Sequence, residues 1–385
     1  MTVYVKAYTL TSALGAGVGA LRTSLRANRT GLDDREWRGS DVPCFLGRID
    51  LPEWVDVAAD RWSRNTRLVE FGLQQDGFVD VVAEVREQVE PDRLGLVLGT
   101  STSAIDRTEE AYRQLQDDNM FPPGYRQPEV HNPHAPTAFA AERLGIVGPR
   151  ITVSAACASS AKVFATAKRW LEQDLVDAVV VGGADSLCLS VIHGFHSLQL
   201  VSPEPCRPFS EDRMGISLGE AAGFVLLSRE AAPGDLRLLG AGESCDAYHM
   251  SSSHPEGLGA RLAMERALAD AGISMSEVDY LNLHGTGTEG NDEVEGKVCA
   301  EVMEGDVLAS ATKGWTGHAL GASGIVEAVL CLEALATGFV PGTRNTTTPD
   351  APFDLLLESV MRPIDVALTN SFGFGGANCS VAFGR

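Results

Sequence analysis

The sequence has 385 residues, of which 44% are hydrophobic, and a formal net charge of −21 at pH 7. A chain of this length exceeds one typical core, so we expect either two fused halves or one large layered α/β unit. The strong acidity argues against general binding to nucleic acids or anionic membranes, while a local basic patch for an acidic partner stays compatible with it.

The eight cysteines are scattered along the chain, and no two of them form a CxxC pair. This spacing argues against a zinc ribbon and against a dithiol redox centre. The sequence shows no signal-peptide pattern and no apolar run close to the roughly eighteen residues of a membrane span. It therefore predicts a cytoplasmic protein with reduced thiols and no membrane span.

The N-terminal half predicts alternating strands and helices. Strand patterns occur at residues 3–10, 93–100, 177–183 and 221–228, and helical patterns at 18–27, 60–88, 106–117 and 137–145. Residues 30–60 are predicted to be irregular with a short hairpin, and residues 118–136 and 204–213 to be loops. Three arginines near the start of the 60–88 pattern indicate either a solvated helix end or a docking patch for an acidic protein.

One cysteine of this half lies between a β-prone run and a helical pattern, in the segment Ile-Thr-Val-Ser-Ala-Ala-Cys-Ala-Ser-Ser at 151–160. The helix is indicated by Phe164, Ala167 and Leu171, at intervals of three and four residues. This pattern predicts that Cys157 occupies a sharp strand-to-helix turn, as a nucleophile does. We expect the helix N-terminus to lower the pKa of the thiol. A buried structural cysteine is the simpler alternative for a lone thiol among small residues.

The C-terminal half repeats a similar order of elements after residue 235. Strands are predicted at residues 236–243, 280–283, 366–370 and 379–383, and helices at 259–271 and 324–337. The similar order hints at an ancient duplication. Alternating strands and helices in both halves predict a layered α/β protein with parallel-rich sheets.

Three segments of the C-terminal half carry residues that suit a nucleophilic cysteine. His284 opens a His-Gly-Thr-Gly-Thr run directly after a predicted strand; a structural histidine is the alternative. Lys313 and His318 lie five residues apart among small residues, and because a buried lysine needs an acid, Glu295 is its predicted partner. The glycines of the third segment, 370–378, let backbone amides approach a ligand, which indicates a source of oxyanion-binding N–H groups.

Two other kinds of site fit these residues less well. His284 and His318 lack the close spacing of metal ligands, so no metal site is predicted. A cysteine protease needs one cysteine and one histidine. It leaves the second histidine, Lys313 and both glycine-rich loops without a role.

Taken together, these segments resemble the elongating β-ketoacyl-acyl carrier protein synthases (KAS I/II type), the condensing enzymes of fatty acid and polyketide assembly. Cys157 matches the family's acyl-accepting cysteine, His284 and His318 match its two histidines, Lys313 its lysine, and Phe374 its gatekeeper phenylalanine. Segments 206–210, 219–220 and 246–250 also align, so the resemblance covers nearly the whole chain. Segments 98–103, 194–198 and 252–257 are similar to the ketosynthases of bacterial aryl polyene clusters.

The resemblance implies an α/β protein with the thiolase fold, a five-layered α-β-α-β-α sandwich of two similar halves. We place these halves at residues 1–235, which carry the nucleophilic cysteine, and 236–385, which carry the His/Lys/His and GFGG loops. No cofactor of the chain's own is implied, because the 4′-phosphopantetheine arm belongs to an acyl carrier protein. That carrier protein is the expected partner, together with a second copy of the chain or a paralogous ketosynthase-like subunit.

The resemblance also implies a role for each matching residue. Cys157 would hold the acyl chain, with its own N–H and that of Phe374 as the oxyanion hole. His284 and His318, as neutral imidazoles, would stabilise the enolate formed when malonyl thioester loses carbon dioxide. Lys313, paired with Glu295, would hold His318 and the local field.

Further residues are implied contacts of the carrier protein and its arm. Thr286 and Thr288 would hydrogen-bond the arm. Because the carrier protein is acidic, the predicted docking residues are Arg61, Arg64, Arg67 and Arg207, with Lys162 and Lys168 as additions.

The chain departs from the family pattern at two places. Ala377 stands where the family usually has Thr, and Glu220 is followed by Ala221 where the family usually has Gly. Two rival assignments stay open. A chain-length-factor-like partner subunit usually lacks the cysteine that is kept here, and an acyl-CoA thiolase uses a second cysteine in a C-terminal cysteine-glycine motif that is absent. Cys379 is predicted to lie in the core instead.

Overall fold

The computed structural model covers residues 1–385 and contains sixteen strands and eleven α-helices. The strands are β1 (Val3–Ser12), β2 (Gly15–Ala16), β3 (Leu32–Asp33), β4 (Leu46–Gly47), β5 (Leu94–Gly99), β6 (Arg150–Val153), β7 (Ala178–Asp185), β8 (Leu218–Gly219), β9 (Ala221–Ser228), β10 (Leu236–Cys245), β11 (Tyr280–Leu283), β12 (Leu308–Ala311), β13 (Phe339–Val340), β14 (Val360–Met361), β15 (Val366–Phe372) and β16 (Ala377–Gly384). The helices are α1 (Gly17–Arg26), α2 (Arg64–Leu73), α3 (Phe78–Gln88), α4 (Ile105–Arg113), α5 (Ala135–Leu144), α6 (Ser159–Glu172), α7 (Leu189–Ser197), α8 (Leu258–Ala271), α9 (Glu289–Val302), α10 (Lys313–Thr316) and α11 (Ser323–Thr337).

Ten of the strands form one path, in the order β6-β5-β7-β9-β1-β10-β16-β15-β11-β12, with β2 paired to β1. The two halves of this path have the same pattern. β5 pairs in parallel with β6 and β7, just as β11 pairs in parallel with β12 and β15. In each half the next two pairings are antiparallel, and β1 joins β10 in the middle.

The helices complete five layers. Helices α2, α3 and α5 pack on one half-sheet, and α8 packs on the other, with α9 beside it. Helices α6 and α11 pack on each other and contact strands of both half-sheets, so they form the middle layer. The predicted layered α/β architecture is confirmed, while the boundary at residue 235 stays a prediction.

The middle layer depends on small residues where backbones meet. A Cβ on Gly324 in α11 would overlap the backbone of Ala161 in α6. A Cβ on Gly99 would lie 2.5 Å from the Ser160 nitrogen, and one on Gly183 would lie 2.5 Å from the Ser160 Cβ. Because Cys157 lies just before α6 and His318 just before α11, this close packing brings the two residues to the same place.

Three features differ from the sequence predictions. The helical pattern at 60–88 is broken into α2 and α3, because Asp76 and Gly77 adopt left-handed φ values of 55° and 67°. Helices α7 and α9 were not predicted. The segment Leu320–Thr337 is long and apolar enough to cross a membrane, with a mean hydropathy of 1.6, but 89% of it is buried inside the fold, as a core helix is.

Candidate active site

Cys157 lies at a tight turn between β6 and α6. Ala156 has a left-handed φ of 48°, which is unusual for a residue with a side chain. The Ser159 hydroxyl fixes the turn, since it accepts from the Ala155 N–H at 2.8 Å and donates to the Ala156 carbonyl at 2.6 Å. The predicted strand-to-helix turn at the cysteine is confirmed.

The electrostatic prediction for Cys157 is wrong in sign. Burial raises the pKa of its thiol to about 11, and it outweighs the Lys313 ammonium and the Phe374 N–H, which both lower this pKa. Cys157 is only 7% exposed, and the loss of water around it favours the neutral thiol. The resting nucleophile is therefore a neutral thiol.

His284 presents a neutral imidazole. Burial and the Lys313 ammonium lower its pKa well below the usual value. Lys313 Nζ lies 3.2 Å from the Nδ1 atom, and an ammonium has only protons to give, so Nδ1 accepts and Nε2 carries the proton. Its loop is held by Glu295, whose carboxylate accepts the N–H groups of His284 and Gly285 at 2.8 Å each.

His318 has the same tautomer for a different reason. Its Nδ1 accepts the backbone N–H of Leu320 at 3.0 Å and lies 2.9 Å from the Ser323 hydroxyl. Nε2 must then carry the proton of the neutral ring. Burial, followed by the Lys313 ammonium, lowers the pKa of His318 well below its usual range, so the ring stays neutral.

Cys157, His284 and His318 converge, each with one potential metal-ligand atom within 4.8 Å of the others. The fold thus supplies the closeness that sequence spacing lacks. A histidine that binds metal through Nε2 normally donates its other N–H to an acceptor, whereas Nδ1 of His318 faces a backbone donor. This donor set suits hydrogen-bond donation to an oxyanion, and the absence of a metal site stays a prediction.

The predicted partner of Lys313 is wrong. Lys313 Nζ makes its ion pair with Glu327 of α11 and also donates to the His284 carbonyl. Glu295 instead holds the His284 loop through backbone amides. Lys313 contacts His284 directly and acts on His318 only through its charge. Burial raises the pKa of both Glu327 and Glu295 to about 7, and Lys313 opposes this shift.

The GFGG turn places Phe374 beside the cysteine. The Phe374 N–H is within hydrogen-bonding reach of the thiol sulfur. The Cys157 N–H makes no hydrogen bond within the chain, so both predicted oxyanion donors are available. The Phe374 ring packs on Phe195 of α7, with centroids 5.7 Å apart. Ala377 begins β16 and does not line the cavity described next.

A cavity of about 840 Å³ leads to Cys157. Its walls include His284, His318 and Phe374 at the inner end. Thr286 and Thr288, the predicted contacts of the arm, also line it, with their hydroxyls 2.8 Å apart. The structure therefore places all predicted catalytic and arm-contact residues, apart from Lys313 and Glu295 behind them, on one cavity.

The predicted docking arginines are committed to contacts within the fold. Arg64 is bound to buried Glu220 and to the Ile49 carbonyl, and Arg67 donates to the carbonyls of Val55 and Pro52. The remaining basic candidates form ion pairs: Arg61 with Glu129 and Glu142, Arg207 with Glu204 and Asp212, Lys162 with Glu243, and Lys168 with Glu172 and Asp270. None of these six lines the cavity. Arg64 and Arg67 are thus held by contacts within the fold, and the docking role of the basic residues stays a prediction.

Two supporting acids were missed. One is Glu327. A charged residue within an otherwise apolar helical pattern could have indicated a buried ion pair. The other is Asp185, buried at the end of β7. Its carboxylate accepts from the hydroxyl of Thr100, from the backbone and side chains of Ser101 and Thr102, and from the N–H of Gly321 at 2.6 Å. It therefore joins the loop after β5 to the loop after His318.

Known proteins are similar to this chain in both sequence and fold. Two family models match: the N-terminal domain of β-ketoacyl synthase over residues 82–232 and its C-terminal domain over 237–347. Nodulation protein E of Rhizobium sp. (strain N33) is 34% identical over 304 residues, 76% of this chain and 75% of that protein. The 3-oxoacyl-[acyl-carrier-protein] synthase 2 of Synechocystis sp. is 31% identical over 368 residues, 89% of this chain and 88% of the relative.

A solved structure agrees with these matches. A chain of the complex between the ketosynthase ApeO and its chain length factor ApeC, from Xenorhabdus doucetiae, has a TM-score of 0.89 at 36% identity. The alignment covers 100% of this chain and 98% of that one. The expected thiolase fold is confirmed. An acyl-CoA thiolase would need a second cysteine at the site. Cys379 does not supply it, because Cys379 is fully buried in β16 and does not line the cavity. This chain belongs to the β-ketoacyl synthase family.

Proposed function

We propose that the protein catalyses decarboxylative Claisen condensation of an acyl thioester with malonyl-acyl carrier protein. The supporting observation is a buried thiol facing two neutral imidazoles that both keep Nε2–H, within 4.8 Å, in a cavity of about 840 Å³. Two such donors suit an enolate oxygen, because they stabilise negative charge that exists only after carbon dioxide has left.

The first step loads the enzyme. Cys157 Sγ attacks the thioester carbonyl, the acyl group moves to sulfur, and the thiol proton leaves with the carrier-protein thiol. The N–H groups of Cys157 and Phe374 hold the oxyanion of the tetrahedral intermediate. Because the thiol is neutral at rest, its proton must be lost as the C–S bond forms.

The second step forms the new C–C bond. Malonyl thioester loses carbon dioxide, and the electron pair moves into an enolate held by His284 and His318. The enolate carbon attacks the acyl group on Cys157, the thiolate leaves and is reprotonated, and the β-ketoacyl thioester departs. No resident cofactor takes part in these steps.

Partners and pathway follow from the same proposal. Thr286 and Thr288 contact the phosphopantetheine arm of the carrier protein, and the chain works in the cytoplasm. ApeO was solved with a chain length factor, which supports a paralogous second subunit here, with a homodimer as the alternative. The retained Cys157, His284, Lys313 and His318 oppose a non-condensing role. The sequence similarity to aryl polyene ketosynthases supports that pathway over fatty acid elongation.

The assignment predicts which residue becomes acylated. Incubation with an acyl-carrier protein should add the acyl mass to the wild-type chain and to Cys44→Ala, but not to Cys157→Ala, as measured by intact-mass spectrometry. Circular dichroism checks that the variants fold. Persistent acylation of Cys157→Ala would contradict the assignment of Cys157 as the acylated residue.

The two histidine roles and the pathway need separate measurements. His318→Ala should reduce condensation far more than acylation, because its Nε2–H acts on the enolate; the reverse pattern would mean that the roles are misassigned. Intact-mass analysis of carrier-bound products from saturated, unsaturated and aryl-capped primers identifies the pathway. Equal use of all primers would contradict the aryl polyene proposal.

A further inference from the structure

Ser323 places a buried hydroxyl against the ring of His318. Ser323 is the first residue of α11, and its Oγ lies 2.9 Å from Nδ1 of His318. The hydroxyl forms no other hydrogen bond, and the residue is 2% exposed. It does not cap α11 either, because Ala322 occupies the N-cap position and no side chain bonds there. The ring of His318 is therefore the single polar partner of this hydroxyl.

The packing of the middle layer explains why residue 323 is small, but not why it is polar. The next residue, Gly324, lies so close to Ala161 that a Cβ would overlap its backbone. An alanine at position 323 would have the same Cβ as the serine and no polar group to remove from water. A buried hydroxyl costs free energy unless it is hydrogen-bonded, and a serine in a helix often bonds the carbonyl four residues back. Here the imidazole takes the place of that carbonyl.

The hydroxyl of Ser323 can only donate to the ring nitrogen. The Leu320 N–H already donates to Nδ1 of His318 at 3.0 Å, so Nδ1 carries a lone pair and no proton. A lone pair of the hydroxyl oxygen would be repelled by that of the nitrogen, so the hydroxyl proton points at Nδ1. The nitrogen then accepts a three-centre hydrogen bond from one amide and one hydroxyl.

The other imidazole has a different donor at the same atom. Nδ1 of His284 faces the Lys313 ammonium at 3.2 Å, which is a charged donor. His318 has two neutral donors at Nδ1 instead. A hydrogen bond from a charged donor is about twice as strong as one from a neutral donor. The second neutral donor therefore brings the polarisation of the His318 ring closer to that of His284.

We infer that Ser323 is a positioning residue of the condensation step, whose hydroxyl orients the ring of His318 and strengthens its Nε2–H as a hydrogen-bond donor. The inference rests on the proposed function, in which this Nε2–H stabilises the enolate. A hydrogen bond donated to Nδ1 draws electron density from the ring, because consecutive hydrogen bonds polarise one another. Nε2–H then binds a negative oxygen more strongly. Acylation of Cys157 uses backbone N–H groups and does not depend on this hydroxyl.

Ser323→Ala tests the inference by separating the two steps. Enzyme that carries an acyl group on Cys157 is mixed with malonyl-carrier protein, and single-turnover mass spectrometry follows the β-ketoacyl product. We expect condensation to slow about fivefold, the effect of one neutral hydrogen bond, while acylation keeps its wild-type rate. Ser310→Ala is the matched control, since Ser310 is fully buried, bonds the Tyr280 hydroxyl at 3.0 Å and does not line the cavity. It should change neither rate.

A spectroscopic measurement distinguishes this role from a purely structural one. A hydrogen bond donated to an unprotonated ring nitrogen lowers the NMR chemical shift of that nitrogen. In protein with isotope-labelled histidine, the Nδ1 resonance of His318 should therefore move to a higher shift in Ser323→Ala and stay in place in Ser310→Ala. Its absence in His318→Ala assigns the resonance. An unmoved resonance would overturn the inference even if condensation slowed.

The rates give the other outcomes. An unchanged condensation rate in Ser323→Ala contradicts the inference, and so does an equal fall in acylation and condensation. Thermal unfolding checks that both serine variants fold, which we expect because alanine is a good helix former and α11 keeps its N-cap. If the wild-type enzyme yields no β-ketoacyl product from malonyl-carrier protein, the proposed function itself fails, and that result involves neither variant.

Discussion

The chemistry of Cys157 is set by burial. Its surroundings offer an ammonium and an N–H group that favour a thiolate, yet the thiol is so far from water that the neutral form is preferred. A neutral thiol reacts slowly with electrophiles. We therefore expect the free thiol to react slowly with small electrophiles at neutral pH.

Alkylation of Cys157 should follow this shifted pKa. With iodoacetamide, we expect the rate to rise about tenfold per pH unit from pH 7 to 10 without a plateau, because the thiolate fraction grows until pH exceeds a pKa of about 11. Peptide mass spectrometry follows the rate, with exposed Cys245 as an internal reference. A plateau below pH 8 would mean that the helix N-terminus outweighs burial.

Glu327 balances the only fully buried lysine of the site. Glu327→Gln should destabilise the fold by about 3–5 kcal/mol, because it leaves the Lys313 ammonium buried without a counter-charge. Chemical denaturation measures the loss. We also expect slower condensation, since Lys313 then loses the partner that holds its ammonium against Nδ1 of His284.

The matched control lies on the same helix. Glu333 is also buried, but its partner Arg22 is 45% exposed and can be hydrated after the change. Glu333→Gln should therefore cost less and leave the condensation rate near the wild-type value. Equal losses in the two variants would show that Lys313 does not depend on Glu327.

The sequence was sufficient to single out residues that converge at the cavity, but not to predict their surroundings; their catalytic roles stay predictions. Cys157, His284, Lys313 and His318 were predicted because glycine-rich and small-residue motifs mark them. The partner of Lys313 was missed because Glu327 is fourteen positions away in an apolar pattern, where helix packing alone decides which acid faces the lysine. The direction of the pKa shift of Cys157 depends on how deeply the thiol is buried, and no local motif encodes burial depth.

Helices α6 and α11 carry the site between the two half-sheets. Each begins just after a catalytic residue, and the contact of Gly324 with Ala161 allows their N-terminal ends to meet. Ser160 adds a hydrogen bond across this contact, since its hydroxyl accepts the Ile325 N–H at 2.9 Å. The helical patterns of this layer were predictable because apolar residues recur in them at intervals of three and four residues.

Helices α7 and α9 could not be predicted from the sequence. Helices α7 and α9 lie in segments of mixed polarity, where no apolar period stands out, and tertiary contacts hold them. Glu109 accepts the N–H groups of Leu189 and Ser190 at the start of α7. Thr288 caps α9 by accepting from the Asn291 N–H at 3.4 Å.

Asp185 predicts a coupling between loops. Asp185→Asn removes charged acceptors from several donors, so the His318 loop should shift while the Cys157 turn stays in place. We expect a loss of about 2 kcal/mol or more in unfolding free energy, and condensation should fall further than acylation. Denaturation and single-turnover mass spectrometry measure the two effects.

Asp177→Asn is the control. Asp177 is partly exposed just before β7, and its partners Arg93 and Arg229 both also pair with Asp174. It should change neither rate. If acylation and condensation fell equally in Asp185→Asn, the predicted specific effect on the His318 loop would be wrong, and Asp185 would only stabilise the fold.

At the scale of the molecule, the edge strand β6 predicts an assembly of two subunits. β6 pairs only with β5, and its Ile151 is 42% exposed. An open edge next to the nucleophile invites a strand from another chain. Analytical ultracentrifugation at micromolar concentration should show a dimer, or a heterodimer once a paralogous subunit is added, and Ile151→Glu should weaken it. A monomer in both conditions would contradict the prediction.

The order of the site residues along the chain also sets when each of them becomes available during synthesis. Ribosomes make Cys157 first, His284 and the Lys313/His318 segment later, and the GFGG turn last of all. Cys157 has neither its imidazoles nor the Phe374 N–H until the C-terminal half has folded and β16 has paired with β10 and β15. A nascent N-terminal half therefore lacks one of the two oxyanion donors, and we expect its cysteine to be acylated more slowly than that of the folded protein.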